Sequence, residues 1–130
     1  MTIGLLAWQT RAAAKQAEVA NAFAGATVLH NQTTSLREVY RVFIDHPELR
    51  PYFYGRKPCP RNQRQRDRVM TIAEMLADTL EDGLVAHHLV PASESESDWI
   101  NYCRHVRANS PALEEWVQRH PGWWPKLSAL

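Results

Sequence analysis

Residues 68–78 read Arg68-Val69-Met70-Thr71-Ile72-Ala73-Glu74-Met75-Leu76-Ala77-Asp78. Carried on to residue 87, the apolar stripe is Val69, Ile72, Ala73, Leu76, Leu80, Leu84 and His87. Steps of three, four and one set these positions on one side of an α-helix, in which a turn takes about 3.6 residues. Nowhere do apolar and polar residues alternate for the length of a strand, and no Asn-Gly or Asp-Gly pair marks a hairpin. The spacing predicts a helix from about Asn62 or Arg66 to about Leu89, closed by Pro91, within an all-α chain.

The same pattern extends in both directions. Leu36, Val39, Tyr40, Phe43 and Ile44 repeat at i, i+3, i+4, i+7 and i+8, the apolar face of an amphipathic helix. Pro47 ends that helix, because the residue before proline is pushed out of the helical region. A turn follows, Glu48-Leu49-Arg50-Pro51-Tyr52-Phe53-Tyr54, with Gly55 as its stop. The segment from Thr2 to about His30 is rich in alanine, the residue of highest helix propensity. Ala13, Ala17, Ala20 and Ala24 line one stripe of it. Small side chains let another helix approach but bury little area each, so this helix needs a partner surface from its own chain or from a second copy. Asn31-Gln32-Thr33-Thr34-Ser35 is either a turn or a polar stretch of one long helix.

Toward the other end, Ser93 and Glu96 read as a capping box. Trp99, Tyr102, Cys103 and Val106 form the buried side of the helix they open. Ser110-Pro111 is an N-cap followed by proline at the first helical position. The helix after it carries Leu113, Trp116 and Val117 and ends at His120-Pro121-Gly122. The tail Trp123-Trp124-Pro125-Lys126-Leu127 is expected to fold back on the bundle, since two exposed tryptophans make an apolar patch. The expectation is one helical domain over residues 1–130, an irregular bundle of four to five helices. Residues 1–35 form its long alanine-rich helix, a candidate oligomer contact, and residues 36–130 its helical core.

Composition bounds function loosely. Of 130 residues, 45% are hydrophobic and 22% charged, which excludes wholesale disorder, a collagen and a disulfide scaffold. Lys and Arg number 15 against 14 Asp and Glu, so net charge points to no polyanionic partner. The two cysteines, Cys59 and Cys103, lie far apart and fit reduced thiols in a cytoplasm. The apolar stretch Met1–Trp8 stops at Gln9 and Arg11, short of the roughly 20 residues of a membrane span. It also lacks the basic start and cleavage site of a signal peptide. It reads as a helix start, with a membrane-anchor stub or an oligomer contact as the other readings.

Four constellations bear on chemistry. Arg56, Lys57, Arg61, Arg64, Arg66 and Arg68 stand against a single acid, Asp67. From Val69 to Cys103 there is neither Lys nor Arg, while Glu74, Asp78, Glu81, Asp82, Glu94, Glu96 and Asp98 accumulate. The basic run is either a site for phosphate or acidic lipid or a loop paired with an acidic helix face. It has no interleaved aromatics for base stacking and no recognition-helix motif, which argues against nucleic acid. Asp45, His46, Arg50, Tyr52 and Tyr54 could line an acid–base pocket; the other reading is a turn that plugs the bundle end and buries its rings. His87 and His88 are adjacent, no histidine pair has i, i+4 spacing and no Glu-x-x-His occurs, so neither metal nor cofactor is expected. His30 and His105 read as structural. Pro58-Cys59-Pro60 shares a Cys-Pro dipeptide with haem-responsive proteins, and Cys59 beside Arg56, Lys57 and Arg61 is expected to be acidified. No G-x-S-x-G elbow and no glycine-rich phosphate loop is present.

Two strings are more specific than composition: Phe43-Ile44-Asp45-His46-Pro47-Glu48-Leu49-Arg50-Pro51-Tyr52-Phe53-Tyr54 and the run from Arg68 to Asp78. With Trp99-Ile100-Asn101-Tyr102, Asn109-Ser110-Pro111-Ala112-Leu113 and Trp123-Trp124-Pro125, the order resembles a family of uncharacterised bacterial helical proteins, over roughly residues 9–127. The resemblance implies a helical fold and carries no activity. Many of those relatives place a membrane-spanning segment ahead of a Gln-Thr-Arg helix start, here Gln9-Thr10-Arg11, where this chain has only its short apolar stretch. The leading expectation is a non-catalytic interaction or regulatory module, self-associating or bound to another protein, in the cytoplasm or at a membrane surface. A small helical enzyme or ligand binder at Asp45, His46, Arg50, Tyr52 and Tyr54, and an anion or acidic-membrane binder at Arg56–Arg68, are the alternatives.

Overall fold

A computed structural model describes residues 2–90 and 96–130, and every regular element among them is helical. Helix α1 spans Thr2–Asp45; its 44 residues make a rod roughly 66 Å long. The polar stretch at 31–35 does not interrupt it. Thr33 Oγ1, Thr34 Oγ1 and Ser35 Oγ donate to the carbonyls of Leu29, His30 and Asn31 at 3.0, 3.0 and 3.1 Å. Hydroxyls that bond back four residues sit inside a helix without breaking it. Pro47 provides the stop: α1 ends at Asp45, and a 3-10 turn over Pro47–Leu49 leads into α2, Pro51–Tyr54.

Helix α3 runs over Gln63–Leu89, opened by Asn62, whose Oδ1 accepts from the Gln65 amide at 3.2 Å. Helix α4 covers Glu96–Asn109, α5 Pro111–Arg119 and α6 Pro125–Ser128. The predicted cap at Ser93 and the closure at Pro91 lie outside the described residues. At α5, Ser110 Oγ accepts from the Leu113 amide at 3.1 Å and donates to the Tyr52 carbonyl at 2.8 Å, so one buried hydroxyl caps α5 and ties it to α2.

The predicted stripe of α3 is the axis of the molecule. Val69, Ala73, Leu76, Ala77 and Leu80 are fully buried along it. Around them close Val39 and Phe43 of α1, Phe53 of α2, Cys103 and Val106 of α4, Leu113 and Val117 of α5, and Trp124 and Leu127. The α4–α3 crossing is close because of Gly83: a Cβ there would lie 2.3 Å from the Trp99 ring, whose Nε1 donates to the Leu80 carbonyl at 3.2 Å.

The acidic run of α3 holds the tail. Trp124 is buried, and its Nε1 donates to Asp78 Oδ1 at 2.8 Å. The Glu81 carboxylate accepts from the Lys126 and Leu127 amides at 3.0 and 2.7 Å, satisfying orphan donors at the start of α6. Arg107 of α4 grips Glu114 with two hydrogen bonds, at 2.9 and 2.7 Å, and reaches the Leu127 carbonyl at 2.8 Å. The tail thus folds back through Trp124 and Leu127. Trp123 does not; it stays exposed, stacked on His120 with centroids 4.0 Å apart.

Helix α1 joins this body only along its second half. Gly25, Leu29, Gln32, Leu36, Val39 and Phe43 face inward. Gly25 marks the start, since a Cβ there would meet Val90 Cγ1 at 3.4 Å. From residue 3 to residue 24 every position is exposed except Ala12, which is partly covered.

Candidate functional site

The exposed half of α1 is an arm with its own apolar seam. Leu5, Ala12 and Val19 recur every seven residues, and Trp8 and Phe23 fall beside them. This is the spacing that coiled-coil pairing uses. The seam lies roughly 140° round the helix from the side that meets the body, so the body cannot fold onto it. Trp8 is 66% exposed, and Leu5, Val19 and Phe23 are exposed as well. Of the predicted alanine stripe, Ala20 and Ala24 border the hollow formed with Ala12, Val19, Phe23 and Lys15, while Ala13 and Ala17, exposed on the same stripe, do not line it. Lys15 follows Trp8 by seven residues and so lies within the seam, while Arg11 and Glu18 flank it; among the described residues none of the three enters an ion pair. The seven-residue step from Leu5 to Val19 is the sequence signal for this seam; the more conspicuous alanine stripe lies partly off it.

The structure divides the predicted pocket of Asp45, His46, Arg50, Tyr52 and Tyr54. Asp45 and His46 are exposed, and His46 Nδ1 lies 3.6 Å from Glu48 Oε1. Tyr52 turns to a cleft of about 190 Å³ with Glu48 and Arg68, where Lys57 Nζ sits 4.5 Å from its ring centre. Arg50 and Tyr54 face another cleft, of about 600 Å³, with Tyr40, Tyr102 and His105 over a wall of Phe43 and Ile44. The reason is local. Positions 52 and 54 are roughly 200° apart on a helix, whereas 50 and 54 share a face. Tyr102, His105 and Tyr40 come from distant segments, and the sequence pattern alone sets Tyr102 in the core and His105 beside Trp99.

Within this cleft three phenols are linked. Tyr102 Oη lies 2.7 Å from Tyr54 Oη and 3.1 Å from Tyr40 Oη. Burial raises the Tyr54 hydroxyl above its ordinary range, against the lowering effect of its bond to Tyr102. Burial raises Tyr102 further, helped by its bonds to Tyr40 and Tyr54. Tyr54 and Tyr102 therefore offer protonated hydroxyls at any physiological pH. The Arg50 guanidinium stands over the Tyr54 ring at 4.8 Å.

The basic run scatters. The Arg56 amide and Nε bind the Asn109 carbonyl and Oδ1, at 2.9 and 3.0 Å, holding Arg56 at φ 58°. Arg66 pairs with Glu115, and Arg68 approaches Glu48 at 3.9 Å. Arg61 and Arg64 are exposed and make no ion pair among the described residues. Cys59 reverses its expectation: burial raises its thiol, with Glu115, more than Arg66 and Arg119 lower it. Cys103 is a core residue, its thiol pushed up to about 12 by burial. Both cysteines are free.

His87 stacks on Trp99, centroids 5.4 Å apart, and burial lowers its pKa against the opposing effect of Glu96. His88 Nδ1 lies 3.2 Å from Glu96 Oε1. Among the described residues no three of His, Cys, Asp and Glu gather as a metal site, and no helix is long and apolar enough to cross a membrane. No protein-family model, curated protein or solved structure matches this chain.

Proposed function

We propose that the protein is a non-catalytic helical interaction module that pairs with a second copy of itself through the arm of α1. The uncovered seam of Leu5, Trp8, Ala12, Val19 and Phe23 carries this reading. A lone helix draws most of its stability from packing, and this arm has no packing of its own. Buried aromatic rings cover about 150–250 Å² each. Trp8 and Phe23 from two arms, with Leu5 and Val19, bring the buried area to about 1,000 Å², the lower range of specific interfaces. Burial of each such side chain contributes about 1.5–3 kcal/mol, enough in sum to offset an association cost of about 4–15 kcal/mol.

Charge favours an antiparallel pair. Antiparallel arms set Leu5 and Trp8 of one copy level with Phe23 and Ala20 of the other. They also bring Arg11 level with Glu18, twice by symmetry, on the flank where antiparallel coils pair charges. In a parallel pair the positions following Arg11 and Glu18 across the seam are Gln16 and Phe23, which cannot answer either charge.

Sedimentation equilibrium on the full chain tests the proposal. The wild type sediments as a dimer that dissociates on dilution, and the Val19→Glu, Phe23→Glu double variant stays monomeric with the melting temperature of its body unchanged. Arg11→Glu weakens the dimer several-fold, as expected of exposed charge pairs, and adding Glu18→Arg restores it. A wild type that is monomeric at high micromolar concentration overturns the reading. A monomer that instead floats with anionic phosphatidylserine vesicles reassigns the arm to a membrane surface.

A further inference from the structure

We infer that the cleft between α2 and α4 is a binding site for a small organic monocarboxylate bearing an apolar or aromatic group. Its single formal cation is Arg50. Among the described residues Arg50 has no ion-pair partner. The Tyr54 ring, 4.8 Å away, holds the guanidinium by its π face without neutralising it. A guanidinium presents a planar fork of donors matched to a carboxylate.

Hydrogen-bond counting supplies a further donor. Three phenols carry three protons, and the two contacts among Tyr54, Tyr102 and Tyr40 use two of them. One O–H is left over to point out of the network, and Tyr40 at the mouth is the member that meets solvent. His105 lines the same cleft, on a turn where the Asn109 amide nitrogen donates to the His105 carbonyl at 2.8 Å.

One guanidinium without an ion-pair partner, beside phenol hydroxyls, matches one negative charge. The lining includes no Asp or Glu to compete with an anion. The hydrocarbon part of the ligand meets Phe43 and Ile44, the latter 77% exposed although it lies beside the core. The cleft measures about 600 Å³, within the range of about 300–1,000 Å³ usual for small-molecule sites. It lies on the body, away from the arm seam, so its occupation does not depend on pairing.

Titration calorimetry of the full chain with phenylacetate, phenylacetamide and inorganic phosphate tests the inference. Phenylacetate binds saturably, and the neutral amide binds at least about tenfold more weakly, the factor set by losing one charge-assisted contact. Arg50→Gln costs about tenfold or more, Arg50→Lys less, and Tyr40→Phe about threefold to tenfold, on the same grounds. Ile44→Glu, on the surface and safe for folding, abolishes binding if Arg50→Gln fails to fold. The Val19→Glu, Phe23→Glu variant binds phenylacetate like wild type, which separates this result from the fate of the pairing proposal. Absence of saturable phenylacetate binding, equal affinity for acid and amide, or phosphate binding as tightly as phenylacetate overturns the inference.

Discussion

Val19 and Phe23 on the arm, and Val39 and Phe43 further along, are the same two residues at the same spacing on one continuous helix. Val39 and Phe43 are 1% and 5% exposed; Val19 and Phe23 are 62% and 76% exposed. Twenty residues carry the helix roughly 200° round, so the two pairs look out on nearly opposite sides. A body that packs on one pair cannot reach the other. Periodicity thus states which residues share a face and leaves open what covers it. On the body the cover is α3; on the arm the proposed cover is a second copy.

Truncation breaks the comparison most sharply. Phe43→Ala removes a ring that packs on Phe53 and Tyr54 and costs about 3–5 kcal/mol of unfolding free energy. Phe23→Ala, measured in dilute protein by urea denaturation, leaves the body within about 0.5 kcal/mol of wild type. An equal cost for both would mean that the arm folds onto its own body.

Glycine replacement sharpens the contrast at smaller scale. Gly83→Ala drives a methyl into the Trp99 ring and costs about 1–3 kcal/mol, read from the melting temperature. Gly4→Ala meets open space and gains about 0.5–1 kcal/mol of helix propensity, read as added helical circular dichroism from the arm.

The smallest effect is one of pH, and it belongs to the body alone. The hydrogen bonds of Arg107 hold the Glu114 carboxyl below its ordinary range, against the raising effect of burial. A group whose folded pKa is depressed contributes stability that is present above its unfolded pKa and is lost as pH falls through the folded one. The destabilisation caused by Arg107→Gln is therefore full at neutral pH and shrinks in acid below the ordinary carboxylate range. A penalty independent of pH would show that Arg107 acts through the Leu127 carbonyl only.

What is legible in the sequence is what is decided within a turn or two of chain. The stop at Pro47, the cap at Ser110 and the stripe of α3 each depend on neighbours three or four residues away. The polar stretch at 31–35 is undecided from sequence because Thr and Ser hydroxyls serve a turn and a helix equally well. The acidic residues of α3 give no hint of their use, since Asp78 and Glu81 hold partners more than forty residues later. The tyrosine cleft is hidden for the same reason, Tyr40 and Tyr102 being 62 residues apart. Cys59 runs opposite to its expectation because adjacency in the chain counts Arg56, Lys57 and Arg61, whereas the charges around the folded thiol are those of Arg66, Glu115 and Arg119.

Amide hydrogen exchange along α1, followed as protein concentration is raised, tests arm pairing most directly. Protection over residues 25–45, where α1 packs on α3, is set by the body and stays constant at every concentration. Protection over residues 3–24 is low in dilute protein, rises with concentration, and stays low in the Val19→Glu, Phe23→Glu variant. An arm equally protected at all concentrations, or exchanging freely even in concentrated wild-type protein, contradicts pairing through the seam.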